Sequence, residues 1–233
     1  MTKEEFVEEL KKLNINITKT QLEQLDRYYK LLIEWNSKIN LTRITEEKEV
    51  YLKHFYDSIT LIRSIDLNQK LEVCDLGTGA GFPGIVLKIM FPKLKITLVD
   101  ALNKRITFLK IIIEKLNLKE IDAIHERGEE FIRNNRNKFD FITCRAVSKL
   151  NIISEICTPG LKINGYFIPM KAQIDEELKD TNFIDKLGLK LEKIVSFKLP
   201  KEESVRNLIV IKKIKETNTI YPRNYDKIIK NSL

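Results

Sequence analysis

The chain is poor in the residues that build metal sites, disulfide frameworks and membrane spans. Its 233 residues include two histidines and three cysteines, and Cys74, Cys144 and Cys157 form no CxxC pair. Zinc sites and disulfide frameworks need closer or more numerous thiols, so we expect neither, and no bound metal. No apolar run approaches the length of about 20 residues that a membrane span needs, so we expect no membrane partner. The first residues are acidic and amphipathic, unlike a secretory signal, which predicts a cytoplasmic protein.

What the chain does contain is typical of a soluble globular protein, with 43% hydrophobic and 32% charged residues. Its net charge is +8, and residues 196–233 alone carry nine basic and four acidic residues, a balance of +5. A basic segment favours a polyanionic partner such as nucleic acid. The chain is also rich in Lys, Asn and Ile, so coding bias is an alternative explanation of the charge.

Capping signals and hydrophobic periodicity divide the chain into two parts. Thr2 with Glu5, and Thr18 with Gln21, have the spacing of capping boxes, and each precedes a helical hydrophobic pattern. A third helical stretch is predicted at 54–63. We therefore expect an N-terminal helical segment over residues 1–65 that packs on a main domain over residues 66–233.

After residue 66 the pattern changes to short apolar runs that are typical of buried strands. Five of these runs alternate with helical patterns, which predicts a mostly parallel sheet with right-handed crossovers. Two final runs are joined by a short polar connection and suit an antiparallel hairpin at one edge of the sheet. The predicted strands are 71–76, 95–101, 121–126, 139–144, 165–171, 191–199 and 205–213, and the predicted helices are 83–91, 104–116, 148–156 and 174–184.

A glycine-rich loop between the first predicted strand and the next helix is the strongest local signal. Glycines in such a loop let the backbone turn sharply and approach a nucleotide cofactor without a Cβ in the way. The segment also satisfies GxGxxG, so a dinucleotide competes with S-adenosylmethionine as the cofactor. Asp100, at the end of the second strand, could hold the ribose diol of either cofactor. The loop contains Asp75, Gly77, Gly79, Gly81 and Gly84.

Three features favour S-adenosylmethionine over a dinucleotide. The glycines start early, so that Asp75 stands at the strand end beside a cationic sulfonium and amine. The loop follows a helical segment of about 70 residues rather than opening the chain, and no hydride-transfer constellation follows it. We therefore predict an α/β fold of the Rossmann-like class I methyltransferase type, with a mostly parallel seven-stranded sheet and an antiparallel edge hairpin.

Cys144, at the end of the fourth predicted strand, is a candidate nucleophile of the kind that attacks pyrimidine C6. No proline precedes it, so a core cysteine is the better interpretation. The same position lacks an acidic or Asn residue followed by Pro-Pro-aromatic, which amino-group methyltransferases place there. Methylation of an exocyclic adenine amine is therefore not expected.

The order of several motifs resembles the bacterial ribosomal RNA small-subunit methyltransferase G family, also called glucose-inhibited division protein B. The similarity extends over nearly the whole chain. Ala101 and Ala172 differ from the usual serine and glycine of the family, and the tail after Arg223 lacks its later glycine and prolines. The matching motifs are Trp35 to Thr42, His54 to Ser58, Asp75 to Gly84, Lys104-Arg105 with Phe108-Leu109, Arg127 to Glu129, Arg145 to Val147, Arg206, and Tyr221 to Arg223.

The resemblance implies that S-adenosyl-L-methionine is the cofactor and that the substrate is guanine N7 in 16S ribosomal RNA or the small ribosomal subunit. It implies a substrate-binding role for Lys171, Arg206 and Arg223, and we expect a monomer. By the same resemblance, the cofactor contacts are Gly77, Phe82, Gly128, Glu129 and Arg145, besides Asp75, Gly79, Gly81 and Asp100 from the loop and the second strand.

Guanine N7 has an in-plane lone pair and no proton, so its methylation needs no general base, and we assign no catalytic residue. The main task is to hold N7 in line with the methyl–sulfur bond at about 3–3.5 Å. Two alternatives stay open on the sequence alone. One is a methyltransferase for a small metabolite, and the other is a non-catalytic RNA-binding module for ribosome assembly.

Overall fold

The computed structural model describes residues 1–179 and 181–233. Two helices open the chain, α1 (Lys3–Lys12) and α2 (Lys19–Ile39). Both predicted capping boxes are present, because the Thr2 and Thr18 hydroxyls accept hydrogen bonds from the backbone of the residues three positions later. The first helical turns begin where these side chains replace missing backbone acceptors.

The third helical stretch is less regular than its periodicity predicts. It consists of α3 (Glu47–Val50), a π-helical turn (Tyr51–Tyr56), α4 (Asp57–Ile59) and a 3-10 turn (Thr60–Arg63). Nearly all side chains from 50 to 61 are buried, so this stretch has no exposed face that a 3.6-residue period would mark. π-helical turns are frequent at functional sites, and this one carries residues that reach the candidate active site.

A seven-stranded sheet forms the centre of the main domain, in the order β3-β2-β1-β4-β5-β7-β6. The pairs from β3 to β5 are parallel, whereas β7 pairs antiparallel with both β5 and β6. This arrangement confirms the predicted fold class and the edge hairpin. The strands are β1 (Glu72–Leu76), β2 (Lys95–Asp100), β3 (Ile121–His125), β4 (Phe139–Arg145), β5 (Leu161–Lys171), β6 (Leu189–Lys198) and β7 (Val205–Lys213).

The strand order reverses between β1 and β4, since β1 has β2 on one side and β4 on the other. Chains that leave β1 and β4 therefore run to opposite faces of the sheet, and a crevice opens between them at the carboxyl ends of the strands. Ligands of doubly wound sheets bind in this crevice. The topology thus places the glycine loop, the end of β2 and the end of β4 around one site.

The helices between the strands follow the prediction with one correction. A helix was predicted at 174–184, but residues 174–178 form a turn, in which Glu177 and Leu178 donate to the Ile174 carbonyl, and position 180 lies outside the described residues. This turn places Glu177 against Lys171. The helices are α5 (Gly84–Met90), α6 (Asn103–Lys115), α7 (Gly128–Asn134), α8 (Leu150–Cys157), α9 (Asn182–Leu187) and α10 (Tyr225–Lys230), of which α7 and α10 were not predicted.

Buried apolar side chains form two clusters, one on each face of the sheet. The first contains Phe6, Leu25 and Phe55 of the N-terminal helices together with side chains of α5 and α6. The second contains α8, α9 and Ile228 of α10. The N-terminal helices therefore share a core with one sheet face, while the division of the chain at residue 65 stays a prediction.

Among residues 1–179 and 181–233, no helix is long and apolar enough to cross a membrane.

Candidate active site

The glycine loop leaves β1 in a tight turn that is held by the neighbouring strand. The backbone amides of Gly77 and Thr78 both donate to the Val99 carbonyl, at 2.8 and 3.1 Å. Gly77, Gly79 and Gly81 have φ angles of +71°, +62° and +102°. Because L residues rarely adopt this left-handed region, the loop requires glycine at these three positions.

Space differs between these glycines. A Cβ on Gly81 would lie 2.7 Å from the Tyr28 hydroxyl, and one on Gly84 would lie 2.2 Å from Leu98 Cδ2, both in packed surroundings. A Cβ on Gly79 would have nothing within 4 Å, and one on Gly77 would meet only the Val147 side chain. Gly81 and Gly84 therefore serve core packing, whereas a side chain at Gly79 would enter open space and one at Gly77 would press on the exposed Val147.

Asp75 braces this loop from within the protein. Its Oδ2 accepts from the Thr78 hydroxyl at 2.6 Å and from the Gly84 amide at 2.8 Å. Its Oδ1 is buried without a hydrogen-bond partner among the described residues. Burial raises the pKa of this carboxyl to about 6, although both hydrogen bonds oppose the shift. Asp75 does not line the cleft described below, so its predicted contact with the cofactor's cationic groups remains a prediction.

The raised pKa of Asp75 predicts a specific pH dependence of stability. Between the unfolded pKa of 3.8 and the folded value of about 6, the folded chain binds more protons, so this carboxyl lowers the free energy of unfolding as pH rises. Asp75→Asn removes that titration. From pH 4 to pH 7 we expect the free energy of unfolding of the variant to rise relative to that of wild type, by up to about 3 kcal/mol. Urea titrations of both proteins at several pH values measure this difference, and a pH-independent difference would contradict it.

A cleft of 320 Å³ opens where the sheet order reverses. It brings together four of the predicted cofactor-binding residues: Gly77 from the loop, Asp100 from the end of β2, and Gly128 and Glu129 from the start of α7. The other lining residues are Leu76, Val99, Ala101, Leu102, Arg105, Glu126, Arg127, Ala146, Val147, Ile153, Ile156 and Tyr225.

Asp100 is the buried carboxylate of this cleft, and its environment tests the fit of a ribose. Its oxygens accept from the backbone amides of Gly79 and Leu102, both at 2.9 Å. Arg105 takes most of the remaining capacity, with Nη1 at 3.1 Å from Oδ2. A carboxylate has about four acceptor sites, so a ribose diol would bind where the Arg105 guanidinium now donates. The left-handed Gly77 at the cleft and this buried carboxylate fit S-adenosylmethionine.

Replacing Asp100 with alanine is expected to weaken S-adenosylmethionine binding by about 1.5–3 kcal/mol, because a charge-assisted bond to the diol is lost. Calorimetry measures the affinity directly. Arg105→Ala is the matched variant, since it removes the same ion pair but leaves the carboxylate free for the diol. An unchanged affinity in Asp100→Ala, or an equal loss in both variants, would show that the carboxylate does not hold the ribose.

A second cavity of 440 Å³ adjoins the first and shares Ala146 with it. It lies beyond the ends of β4 and β5 and is closed on one side by the π-helical turn. Most of the surface that lines it is apolar, although four lysine and arginine side chains are among the lining residues. The cavity is lined by Ile44, Lys53, His54, Asp57, Arg145, Ala146, Met170, Lys171, Ala172 and Arg206.

Arg145 connects this cavity to the N-terminal helices. Its Nη1 donates to the Lys53 carbonyl at 2.9 Å and to Asp57 Oδ2 at 3.1 Å, and its Nη2 donates to His54 Nδ1 at 3.0 Å. The buried Asp57 also forms an ion pair with Arg206, with Oδ1 at 3.2 Å from Nε, although this approach lacks hydrogen-bond geometry. The guanidinium is thus engaged outside the cofactor cleft, and its predicted contact with the cofactor remains a prediction.

His54 is held neutral in this network. Burial, reinforced by the nearby Arg145 charge, lowers its pKa to about 3. Its Nδ1 accepts from Arg145, so Nε2 carries the proton and donates to the Thr42 hydroxyl at 2.9 Å. The imidazole stacks on Phe82 at a centroid distance of 4.3 Å. Phe82 therefore packs against the helical segment and does not line the cofactor cleft.

The helical segment also supports the glycine loop directly. The Tyr28 hydroxyl, buried in α2, donates to the Ala80 carbonyl at 2.5 Å. Sequence reasoning gave no role to Tyr28, His54 or Asp57. The stretch from His54 to Ser58 was visible as a family motif, but nothing in its spacing indicated an arginine partner 88 to 91 residues away. Tyr28 carried no signal, because it stands in an ordinary helical pattern.

The three predicted substrate-binding residues have different surroundings. Lys171 lines the second cavity and is held by Glu177 at 2.9 Å and by the Ser148 carbonyl. Arg206 lines the same cavity. Arg223 lies elsewhere, where it donates to the fully buried Glu155 through Nε at 2.8 Å and Nη2 at 2.6 Å. The structure brings Lys171 and Arg206 together but not Arg223.

Cys144 is buried, and burial raises the pKa of its thiol to about 12. A thiol in this state supplies almost no thiolate near neutral pH. The interpretation of Cys144 as a core residue therefore agrees with its surroundings. Among residues 1–179 and 181–233, no cluster of three or more His, Cys, Asp or Glu side chains could hold a metal ion.

Comparison with known proteins agrees with this geometry. The family model described as rRNA small subunit methyltransferase G matches residues 21–215. A Bacillus subtilis (strain 168) protein named ribosomal RNA small subunit methyltransferase G is 51% identical over 96% of this chain and 95% of its own length. The protein of the same name from Staphylococcus carnosus (strain TM300) is 48% identical over 94% of this chain and 93% of its own.

A solved structure of a SAM-dependent methyltransferase from Aquifex aeolicus superposes with a TM-score of 0.52. The match covers 71% of this chain and 93% of that one, at 18% sequence identity, so it bears on the fold alone. The fold is therefore of the class I methyltransferase type. The two relatives, which match nearly the whole chain, show the family as well. The chain belongs to the rRNA small subunit methyltransferase G family.

Proposed function

We propose that this chain transfers a methyl group from S-adenosylmethionine to N7 of a guanine in 16S ribosomal RNA. The observation that carries the proposal is the pair of adjoining cavities at the carboxyl edge of the sheet. One holds Asp100, Gly77 and Gly128, and the other, of 440 Å³, shares Ala146 with it. A purine in the second cavity would lie beside the methyl group of a cofactor in the first, which is the arrangement that direct transfer needs.

The second cavity suits a base that has been taken out of the RNA stack. Its mostly apolar lining would cover the faces of the purine, while Lys171 and Arg206 offer donors. Arg206 is held by Asp57, so its guanidinium has a fixed place from which to bind the O6 edge of guanine or a phosphate. A guanine in folded RNA would first need to be unstacked.

The polar groups of this cavity match a reaction without a general base. Both nitrogens of His54 are engaged, by Arg145 and by Thr42, and Asp57 faces two arginines. When bound, S-adenosylmethionine supplies an electrophilic methyl group on a sulfonium. Guanine N7 would take this methyl group with its lone pair as the methyl–sulfur bond breaks and the thioether leaves. It would release no proton, so neither His54 nor Asp57 needs to accept one. The positive charge of Arg145 and Arg206 near the purine is screened by Asp57.

Two alternatives from the sequence are addressed by the family assignment and by one experiment. Labelled S-adenosylmethionine is incubated with the chain and either deproteinised 16S RNA or small-subunit particles, and the modified nucleotide is mapped. We expect a single 7-methylguanine. Asp100→Ala serves as the cofactor-site control. Label on another atom or base would overturn the N7 assignment, and label only on small metabolites would favour the metabolite alternative. Absence of all transfer, with intact RNA binding, would favour the assembly module.

Salt dependence distinguishes phosphate contacts of the C-terminal segment from coding bias. Lys227 and Lys230 are exposed on α10. If they contact phosphates, replacing both with glutamine reduces the slope of log affinity against log salt by about 0.7–0.9 for each contact. Arg206→Ala is expected to cost more affinity than either lysine, since its planar fork makes two directed bonds.

The matched control is the pair Lys115 and Lys119, replaced with glutamine. Lys115 is the last residue of α6 and Lys119 lies between α6 and β3, at the amino ends of the strands and opposite the site. We expect their salt slope to equal that of wild type in titrations with a small-subunit RNA fragment. If the Lys227 and Lys230 variant has the same slope as this control, the basic excess is compositional and RNA contacts lie on other surfaces.

A further inference from the structure

The C-terminal tail, residues 217–233, returns from the edge hairpin to the cofactor cleft. It follows β7, the neighbour of the edge strand β6, yet α10 packs on α8. Tyr225, the first residue of α10, lines the cleft together with Asp100 and Gly128. The family model ends at residue 215, so this contact belongs to a part of the chain beyond the matched region.

Tyr225 is one of three exposed apolar side chains that line the cleft. Leu102, Val147 and Tyr225 line it, and they are 44%, 42% and 38% exposed. Ile153 and Ile156 of α8 line the same cleft. Large apolar side chains that are exposed together in one concave site mark a surface that a ligand covers. The adenine ring is the flat, largely apolar part of S-adenosylmethionine, and Asp100 in the same cleft would hold the ribose joined to it.

The tail is held in place on both sides of Tyr225. Before it, Arg223 makes three hydrogen bonds to the buried Glu155, one from its backbone amide and two from its guanidinium. Arg133 donates to the Pro222 carbonyl at 3.2 Å and to Asn224 Oδ1 at 3.1 Å. After it, Ile228 is fully buried against the second core cluster. A side chain fixed in this way loses little further freedom on binding a ligand.

We propose that Tyr225 is a cofactor-binding residue, whose ring packs on the adenine of S-adenosylmethionine, so that the C-terminal tail forms part of the cofactor site. The Arg127 guanidinium lies 5.7 Å from the centroid of this ring and restricts its movement. Arg223 therefore acts on the site from a distance, as the anchor that keeps Tyr225 at the cleft. The inference rests on the cofactor of the proposed function and not on its RNA target.

Calorimetry of S-adenosylmethionine binding tests the proposal without RNA. Loss of an aromatic platform under a base should weaken affinity about 5- to 150-fold in Tyr225→Ala, whereas Tyr225→Phe keeps the ring and should bind like wild type. Ile229→Ala is the matched control, because Ile229 lies exposed on the same helix and does not line the cleft. Adenosine, as a competing ligand, should lose affinity by the same factor as S-adenosylmethionine in Tyr225→Ala.

Limited proteolysis provides a second measurement on the folded proteins. Trypsin can cut the tail after Lys227 and Lys230, and S-adenosylmethionine should slow this cleavage in wild type and in Ile229→Ala but not in Tyr225→Ala. Equal affinity of wild type and Tyr225→Ala, or equal losses in the alanine variants at 225 and 229, would overturn the inference alone. Wild type that fails to bind S-adenosylmethionine would overturn the cofactor assignment together with it.

Discussion

Valine at position 77 is expected to abolish S-adenosylmethionine binding in a chain that still folds. Gly77 lines the cofactor cleft with a φ of +71°, and a Cβ there would lie 2.7 Å from a methyl group of Val147. Val147 is an exposed side chain of the same cleft, so it can yield only by occupying cofactor space or by moving into solvent. The left-handed backbone costs a valine about 1–2 kcal/mol, well below a typical stability of about 5–15 kcal/mol.

The control for backbone strain is Asn117→Val. Asn117 has a φ of +54° in an exposed turn after α6, remote from the cleft. Thermal melts should show similar destabilisation of both valine variants, while calorimetry should detect cofactor binding only in Asn117→Val. Gly79→Val should also fold, because nothing of the protein lies within 4 Å of a Cβ at that position. Gly79 does not line the cleft, but its amide donates to Asp100 Oδ2, so a loss of cofactor binding in this variant would act through that carboxylate. A folded Gly77→Val that binds with wild-type affinity would place the cofactor elsewhere.

Among the substitutions considered, replacing Arg145 with alanine is expected to lower the free energy of unfolding the most. The variant loses hydrogen bonds to Asp57, to His54 and to the Lys53 carbonyl, and it leaves the buried Asp57 carboxylate with Arg206 alone. Removing one partner of a buried ion pair costs about 3–5 kcal/mol. For a chain of this size, the melting temperature should then fall by about 6–20 °C. Urea titration of both proteins gives the free energy directly.

Lysine at position 145 should recover little of this loss, because an ammonium cannot reach three partners with the planar geometry of a guanidinium. Asp57→Asn in the Arg145→Ala background should recover part of it, since the carboxylate no longer requires a partner. The double-mutant cycle therefore measures the coupling between the two side chains. A loss below about 1 kcal/mol in Arg145→Ala, or full recovery by lysine, would show that the network does not join the helical segment to the sheet.

The parts of the fold that the sequence could predict are those determined over a few neighbouring residues. The capping boxes of Thr2 and Thr18 at the starts of α1 and α2 were predictable because each depends on two residues three positions apart. The parallel strands were visible as apolar runs between helical periods. The helix predicted at 174–184 was wrong for residues 174–178, which form a turn that places Glu177 against Lys171, and a helix begins only at Asn182.

The sequence by itself was enough to predict that the glycine loop and Asp100 belong to a cofactor site. Three glycines at alternate positions between a strand and a helix are typical of a loop that binds a nucleotide cofactor. The sequence also contained the motifs of a family to which the chain belongs. Only the tertiary structure decided which glycines serve packing and which leave space, since a missing Cβ has meaning only against its neighbours. The tertiary structure also showed that Arg145 pairs with Asp57, that Arg223 pairs with Glu155 and that Tyr225 lines the cleft. These partners are far apart in sequence, and their meeting depends on how the sheet, the N-terminal helices and the tail pack.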